Sequence, residues 1–344
     1  MLLTLKNMIK KILKRFIPVI SKISPGFLSK VYKYRIIHSE KYNQEKLPIE
    51  LQVEITTKCS AKCIMCGHND LKKKCFPIQD MDLKIVDRIK EVLSSCYNDR
   101  TVNISLFGVG EPLLCSNLFD IINKLDMPNV YHIVYTTGFN MAKDIAQKLV
   151  EDKNLKLIGF SLNKKDRNSY RELMGVDKFN ASINGIKIFL EERDKAGKSV
   201  HVIIKFFDDS KKSSLPEVDE FIKNYKDISI KYTRYSEALY DEQKNISFTK
   251  NYQFYRYPCA ELMPRFLYID VEGGVYKCCQ ALQYDTRGKT NDLYMGNIMD
   301  LNFNIKQEWK ASVNEFASQT NGRYGKFIKS CENCADHGVY RKLN

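Results

Sequence analysis

Between residues 49 and 232 the chain repeats one pattern: a short apolar run, a polar turn, then a longer stretch with helical periodicity. Strand-like runs fall at Leu51–Ile55, Thr101–Phe107, Val130–Tyr135, Leu157–Leu162, Val200–Phe207 and Ile228–Tyr232. Helix-like stretches fall between them, at Met81–Ser95, Asn117–Leu125, Met141–Glu151, Ala181–Ala196 and Leu215–Tyr225. Such alternation predicts an α/β fold with a parallel sheet and helices outside it. Six units are too few for an eight-fold barrel, and a partial (β/α)6 TIM-like barrel fits. Folds of this kind place their chemistry in the loops after the C-terminal ends of the strands, so the turn after each strand is where functional residues are sought.

The turn after the first strand carries Cys59-Ser-Ala-Lys-Cys63-Ile-Met-Cys66. Thiolates are soft ligands that suit iron–sulfur clusters and zinc. A closed structural zinc site takes four ligands, whereas three cysteines on a 4Fe–4S cluster leave one iron open. A zinc ribbon and a set of buried free thiols are the plain alternatives. Three further segments follow at the same edge. Gly108-Val-Gly110-Glu111-Pro112 comes directly after the second strand, and Thr136-Thr-Gly-Phe-Asn140 after the third. Phe160-Ser161-Leu-Asn163 ends the fourth.

With these residues in place, the sequence resembles the radical S-adenosylmethionine enzymes. The resemblance implies that Cys59, Cys63 and Cys66 hold a 4Fe–4S cluster whose open iron is chelated by S-adenosylmethionine. Reductive cleavage of that cofactor then gives a 5′-deoxyadenosyl radical, which takes a hydrogen atom from a substrate. Gly108, Gly110 and Glu111 match the glycine-rich cofactor turn of that family, where glycines let backbone carbonyls approach the cofactor's amino group. Thr137, Ser161 and Asn163 stand at its other cofactor positions. Asn163 replaces a common aspartate, and Met174-Gly175 stands where an Arg-Gly pair is frequent.

Beyond residue 235 the composition changes. Cys259, Gly273, Cys278, Gly296-Asn-Ile298, Trp309, Cys331 and Cys334 resemble the first half of the auxiliary-cluster domain known as SPASM. No cysteine follows Cys334, so a shortened, twitch-like domain is expected, with Cys259, Cys278, Cys331 and Cys334 closing one auxiliary 4Fe–4S cluster. A four-cysteine zinc ribbon is the rival for the same spacing. Cys279 competes with Cys278 as the ligand. Otherwise it is a packed thiol or, as in relatives that epimerise, a catalytic hydrogen-atom donor. Cys75, Cys96 and Cys115 have no partner spacing and read as structural, and His68 as a loop hydrogen-bonder.

The net charge of +14 is uneven. Residues 1–46 hold eleven Lys and Arg against Glu40 and Glu45, which is +9, leaving +5 for the rest. The body therefore gives no reason to expect nucleic acid. Within residues 1–17, Leu2, Leu5, Ile9, Ile12, Leu13 and Phe16 share one helical face opposite a basic one. A membrane-surface helix, a helix packed on the barrel and a partner-binding leader all fit that pattern. No run of 18 apolar residues offers a transmembrane helix, and no secretory signal is visible, so the high count of eleven cysteines points to metal ligation in a cytoplasmic chain and not to a disulfide framework. The expected division is a leader over 1–46, the barrel over 47–235 and the auxiliary-cluster domain over 236–344. The resemblance implies an electron donor such as flavodoxin or ferredoxin and a small-molecule or peptide substrate. A single auxiliary cluster suits oxidation or epimerisation of a carbohydrate-like molecule and equally modification of a ribosomally made peptide. The resemblance implies more auxiliary cysteines and often a leader-binding domain for peptide-modifying enzymes, so a carbohydrate-like substrate is expected, with a peptide-modifying maturase and a non-catalytic metal-stabilised binding protein as the alternatives.

Overall fold

The computed structural model describes residues 47–64, 66, 68, 77–207, 215–233, 252–256, 266–278, 293–319 and 338–342. The basic segment 1–17, and Cys75, Cys259, Cys279, Cys331 and Cys334, lie outside the described residues.

Six strands run parallel in sequential order: β1 (Glu50–Val53), β2 (Val102–Leu106), β3 (Val130–Thr136), β4 (Leu155–Asn163), β5 (His201–Phe207) and β6 (Ile228–Thr233). The crossovers carry helices α1 (Leu83–Cys96), α2 (Leu118–Lys124), α3 (Lys143–Glu151), α4 (Arg167–Met174), α5 (Phe179–Lys195) and α6 (Pro216–Asn224). This is the expected (β/α)6 order, and the expected elements meet the observed ones to within two residues. Helix α4 is the addition. Its ends are written in the chain: Asp166 accepts from the Ser169 amide at 2.9 Å, and Gly175 closes the C-terminus with φ +64°.

Alternation sorts each strand into two faces. Leu51, Val53, Ile104, Leu106, Val134, Ile158, Phe160, Val202 and Ile204 are fully buried and share one core with Ile89 of α1, Ile121 of α2 and Ile186 and Phe189 of α5. At about 25 cal/mol per Å² of apolar surface, this layer is the main source of stability. One polar pair sits inside it: His132 Nδ1 lies 2.7 Å from Asp152 Oδ2, and Nε2 lies 3.3 Å from the Leu125 carbonyl. The opposite face of the sheet is more polar and carries Gln52, Ser105, Tyr135, Ser161 and Lys205.

Past β6 the chain supplies β7 (Tyr252–Arg256), β8 (Phe266–Ile269), β9 (Gly274–Tyr276), β10 (Tyr294–Asn297), α7 (Ile305–Gln319) and β11 (Gly338–Lys342). Strand β8 pairs with β1 in parallel, and β9 and β10 follow antiparallel, so one nine-stranded sheet runs β10-β9-β8-β1-β2-β3-β4-β5-β6. The Gly-Asn-Ile element has a physical job here. Asn297 Nδ2 donates to the Glu272 carbonyl at 3.0 Å, and the Ile298 amide to the Gly273 carbonyl at 2.8 Å, which clasps the β8–β9 turn. Trp309 of α7 is buried in the common core. Among the described residues, no helix is long and apolar enough to cross a membrane.

Candidate active site

The cysteine loop leaves the C-terminal end of β1 and is held from two sides. On one side the Glu111 amide donates to the Lys58 carbonyl at 2.7 Å. On the other, the amides of Lys62 and Ile64 each donate at 3.0 Å to the carbonyls of Met174 and Leu173, the last residues of α4. A salt bridge locks its root: Lys58 Nζ lies 2.6 Å from Asp80 Oδ2, while Thr56 Oγ1 donates to Asp80 Oδ1 at 2.7 Å. Burial raises the Asp80 carboxyl, but hydrogen bonds from Lys58, Thr56 and Ser116 outweigh it and bring it down to about 2.

Cys59, Cys63 and Cys66 are all partly buried. Burial first, then the neighbouring thiols of Cys66 and Cys59, push the Cys63 thiol far up. A cation-rich cluster relieves that cost, because it binds the thiolate form. His68 fixes the end of the loop, with Nε2 2.9 Å from the Thr57 carbonyl and its amide 3.5 Å from Cys66 Sγ. That is the loop role expected of it. Cys115 is buried, with Sγ 3.4 Å from the Ile55 carbonyl, also as expected.

The Gly108–Glu111 turn packs on the same root, and the structure gives its glycines a steric reason. A Cβ on Gly110 would lie 2.2 Å from the Thr56 carbonyl oxygen, and one on Gly108 2.5 Å from Glu54 Cγ. Glu111 is fully enclosed. Its carboxylate accepts from Thr136 Oγ1 (2.5 Å), Leu113 N (3.3 Å), Thr137 N (2.8 Å) and Thr137 Oγ1 (2.7 Å). Burial holds its carboxyl above the usual range against the pull of these bonds. Glu111 therefore ties the loop after β2 to the loop after β3 and places Thr137.

At the end of β4, Asn163 adopts φ +65° and is buried. Its Nδ2 lies 3.1 Å from Met174 Sδ, which in turn lies 3.5 Å from Cys63 Sγ. The Asn163 Oδ1 has no hydrogen-bond partner among the described residues, nor has the Asn140 Nδ2 in the loop after β3. A buried orphan acceptor and donor at the edge that carries the thiols are the pattern a bound polar cofactor satisfies. The donor set of three thiols and the orphan amide groups thus fit an iron–sulfur cluster and S-adenosylmethionine.

The sheet edge brings together Cys59, Cys63, Cys66, Gly108, Gly110, Glu111, Thr137, Ser161 and Asn163. Sequence reasoning missed Glu54. This buried carboxylate at the end of β1 accepts from the Val109 amide at 3.1 Å and the Val271 amide at 3.2 Å, linking the glycine turn to the β8–β9 turn. A charged residue inside an otherwise apolar run, Val53-Glu54-Ile55, was its signal. Of the four cysteines expected to hold an auxiliary cluster, Cys278 is described. It is buried just beyond β9.

Residues 53–228, half of the chain, match the Radical SAM superfamily. A GTP 3′,8-cyclase from Clostridium perfringens is 26% identical over 149 residues, covering 42% of this chain and 44% of that protein. A probable GTP 3′,8-cyclase from Saccharolobus solfataricus is 26% identical over 141 residues, covering 41% and 43%. The chain thus spans less than half the length of the curated relatives it matches. Among solved structures, Streptococcus suis SuiB bound to S-adenosylmethionine is similar with a TM-score of 0.51 at 14% identity, covering 85% of this chain and 71% of that one. That likeness is one of fold. Taken with the thiol loop and the orphan polar groups beside it, the match over 53–228 places this chain in the Radical SAM superfamily, as an enzyme whose cofactors are a 4Fe–4S cluster and S-adenosylmethionine.

Proposed function

We propose that this enzyme oxidises or epimerises a carbohydrate-like small molecule by hydrogen-atom abstraction, and that it carries one auxiliary 4Fe–4S cluster in a shortened SPASM-type unit over 236–344. When bound, the cluster and S-adenosylmethionine supply the 5′-deoxyadenosyl radical that abstracts the hydrogen atom. Cys59, Cys63 and Cys66 hold the cluster. The backbone of Gly108 and Gly110, with Thr137, Ser161 and Asn163, binds the cofactor, and Glu111 positions Thr137. Cys259, Cys278, Cys331 and Cys334 are assigned to the auxiliary cluster, and Cys279 to hydrogen-atom return in the epimerising variant of the reaction. Flavodoxin or ferredoxin in the cytoplasm is the assigned source of electrons.

The observation that carries this reading is the convergence of the thiol loop, the glycine turn and Asn163 on one sheet edge, with β9, which leads into Cys278, hydrogen-bonded into the same sheet. The names of the sequence relatives, which point to GTP, favour a small molecule over a peptide. Iron analysis of anaerobically reconstituted protein tests the cluster assignment. About eight irons per chain are expected (two 4Fe–4S clusters), falling to about four in Cys278→Ala. Zinc in place of the second set overturns the auxiliary cluster. Stimulation of cofactor cleavage by a peptide and by no sugar or nucleotide overturns the small-molecule reading and leaves the maturase.

A further inference from the structure

Lys205 and Lys231 lie directly opposite each other on β5 and β6, on the polar face of the sheet. Like charges facing across a strand pair are destabilising, and here no carboxylate among the described residues pairs with either one. In the same register row, Lys205 stands opposite Ser161 of β4, so the two amines extend the line of cofactor-edge residues by one and two strands. At about 4.8 Å per strand, this puts the backbone of both lysines within about 10 Å of that of Ser161.

Lys205 is also pre-placed. Its Nζ sits 3.6 Å from the centroid of the Tyr135 ring, a cation–π contact that favours the charged amine in a site screened from water. Tyr135 reaches it by lying across β4 at Gly159, where a Cβ would fall 2.2 Å from the ring. Phe107 of the β2 edge meets the same ring edge-on at 4.8 Å. Aromatic faces therefore run from β2 to β5 and end under an amine. Burial first, and then Lys231, bring the Lys205 amine down to about 8. The arrangement costs free energy that an anion between the two lysines offsets. Lys231 is exposed, so the pair can be reached. A planar carboxylate is matched best by arginine, whereas paired lysines act as point charges suited to a phosphate dianion.

We infer that Lys205 and Lys231 anchor the phosphoryl group of a phosphorylated small-molecule substrate, with the Tyr135 and Phe107 rings against the rest of that molecule. The inference rests on the reading of this edge as the reaction centre, and it narrows the proposed carbohydrate-like substrate to a phosphorylated one.

The test is calorimetric titration of inorganic pyrophosphate into reconstituted full chain loaded with S-adenosylmethionine. Wild type is expected to bind. Lys205→Gln and Lys231→Gln are each expected to weaken binding at least tenfold, about 1.4 kcal/mol, while Lys205→Arg retains it and Lys198→Gln, in an exposed loop, titrates as wild type. The arginine variant separates loss of charge from loss of fold. No binding by wild type, wild-type binding by both glutamine variants, or equal lysine-dependent binding of citrate overturns the assignment. 5′-Deoxyadenosine is assayed on the same preparations. Its formation without pyrophosphate binding overturns this inference and leaves the radical chemistry. Lysine-dependent binding without its formation supports the anchor and overturns the reaction.

Discussion

Replacing Gly110 with alanine adds one methyl group at the tightest point of the site. That carbon would sit 2.2 Å from the Thr56 carbonyl oxygen, 2.8 Å from its carbon and 3.0 Å from the Lys58 carbonyl oxygen. The first distance is about 1.2 Å short of the 3.4 Å at which ordinary contact begins. All three neighbours are backbone, so relief requires the glycine turn and the thiol loop to separate. Overpacking of this kind costs about 1–3 kcal/mol, and loss of the Glu111 amide bond to Lys58 adds about 1 kcal/mol. A total near 3 kcal/mol is a large share of a stability of about 5–15 kcal/mol. With a urea m-value of about 3 kcal/mol/M, the unfolding midpoint of apo Gly110→Ala should fall by about 1 M. Reconstituted protein should also bind S-adenosylmethionine more weakly. Gly108→Ala is the comparison: its methyl meets Glu54 Cγ at 2.5 Å and Cβ at 2.6 Å, a buried side chain held by the Val109 and Val271 amides, so its midpoint should fall as well, through loss of those bonds and not of the Glu111–Lys58 bond. A Gly110→Ala protein with the wild-type midpoint and wild-type cofactor affinity would refute the steric reading of this turn.

Other consequences are separable. Met174→Leu conserves volume and should cost under about 1.5 kcal/mol, yet removes the sulfur 3.5 Å from Cys63 Sγ; the electron paramagnetic resonance spectrum of the reduced cluster should change, whereas an unchanged spectrum would show that the contact has no bearing on the cluster. His132→Ala strands the buried Asp152 and should destabilise by about 3 kcal/mol, read as a lowered urea midpoint, with S-adenosylmethionine affinity of the folded protein unmoved. Because the Asp80 carboxyl is held near 2 in the folded protein, below the unfolded value of about 3.9, its contribution is present above pH 4 and lost as the pH falls toward 2. The midpoint of wild type should therefore drop more steeply over that window than that of Asp80→Asn.

The strands, their order and the thiol loop were legible because each is a local signal: period-two apolar runs, helical periodicity and fixed cysteine spacing. Helix α4 was capped legibly by Asp166 and Gly175, but its eight residues are too short for periodicity to stand out. What could not be read were contacts that depend on register. Met174 stands 111 residues from Cys63, and Glu54 meets Val271 across 217. Glu111 reads from its motif as a cofactor carboxylate, yet its oxygens are taken up by Thr136, Thr137 and Leu113, because the loop after β3 folds directly over it. Lys205 and Lys231 look like ordinary strand lysines until pairing sets them side by side next to Ser161.

The decisive experiment is 5′-deoxyadenosine formation by anaerobically reconstituted protein given dithionite and S-adenosylmethionine. Wild type should form it, and Cys63→Ala should form none. A wild-type protein that binds zinc, holds no iron–sulfur cluster and forms no 5′-deoxyadenosine would contradict the radical chemistry assigned to this site.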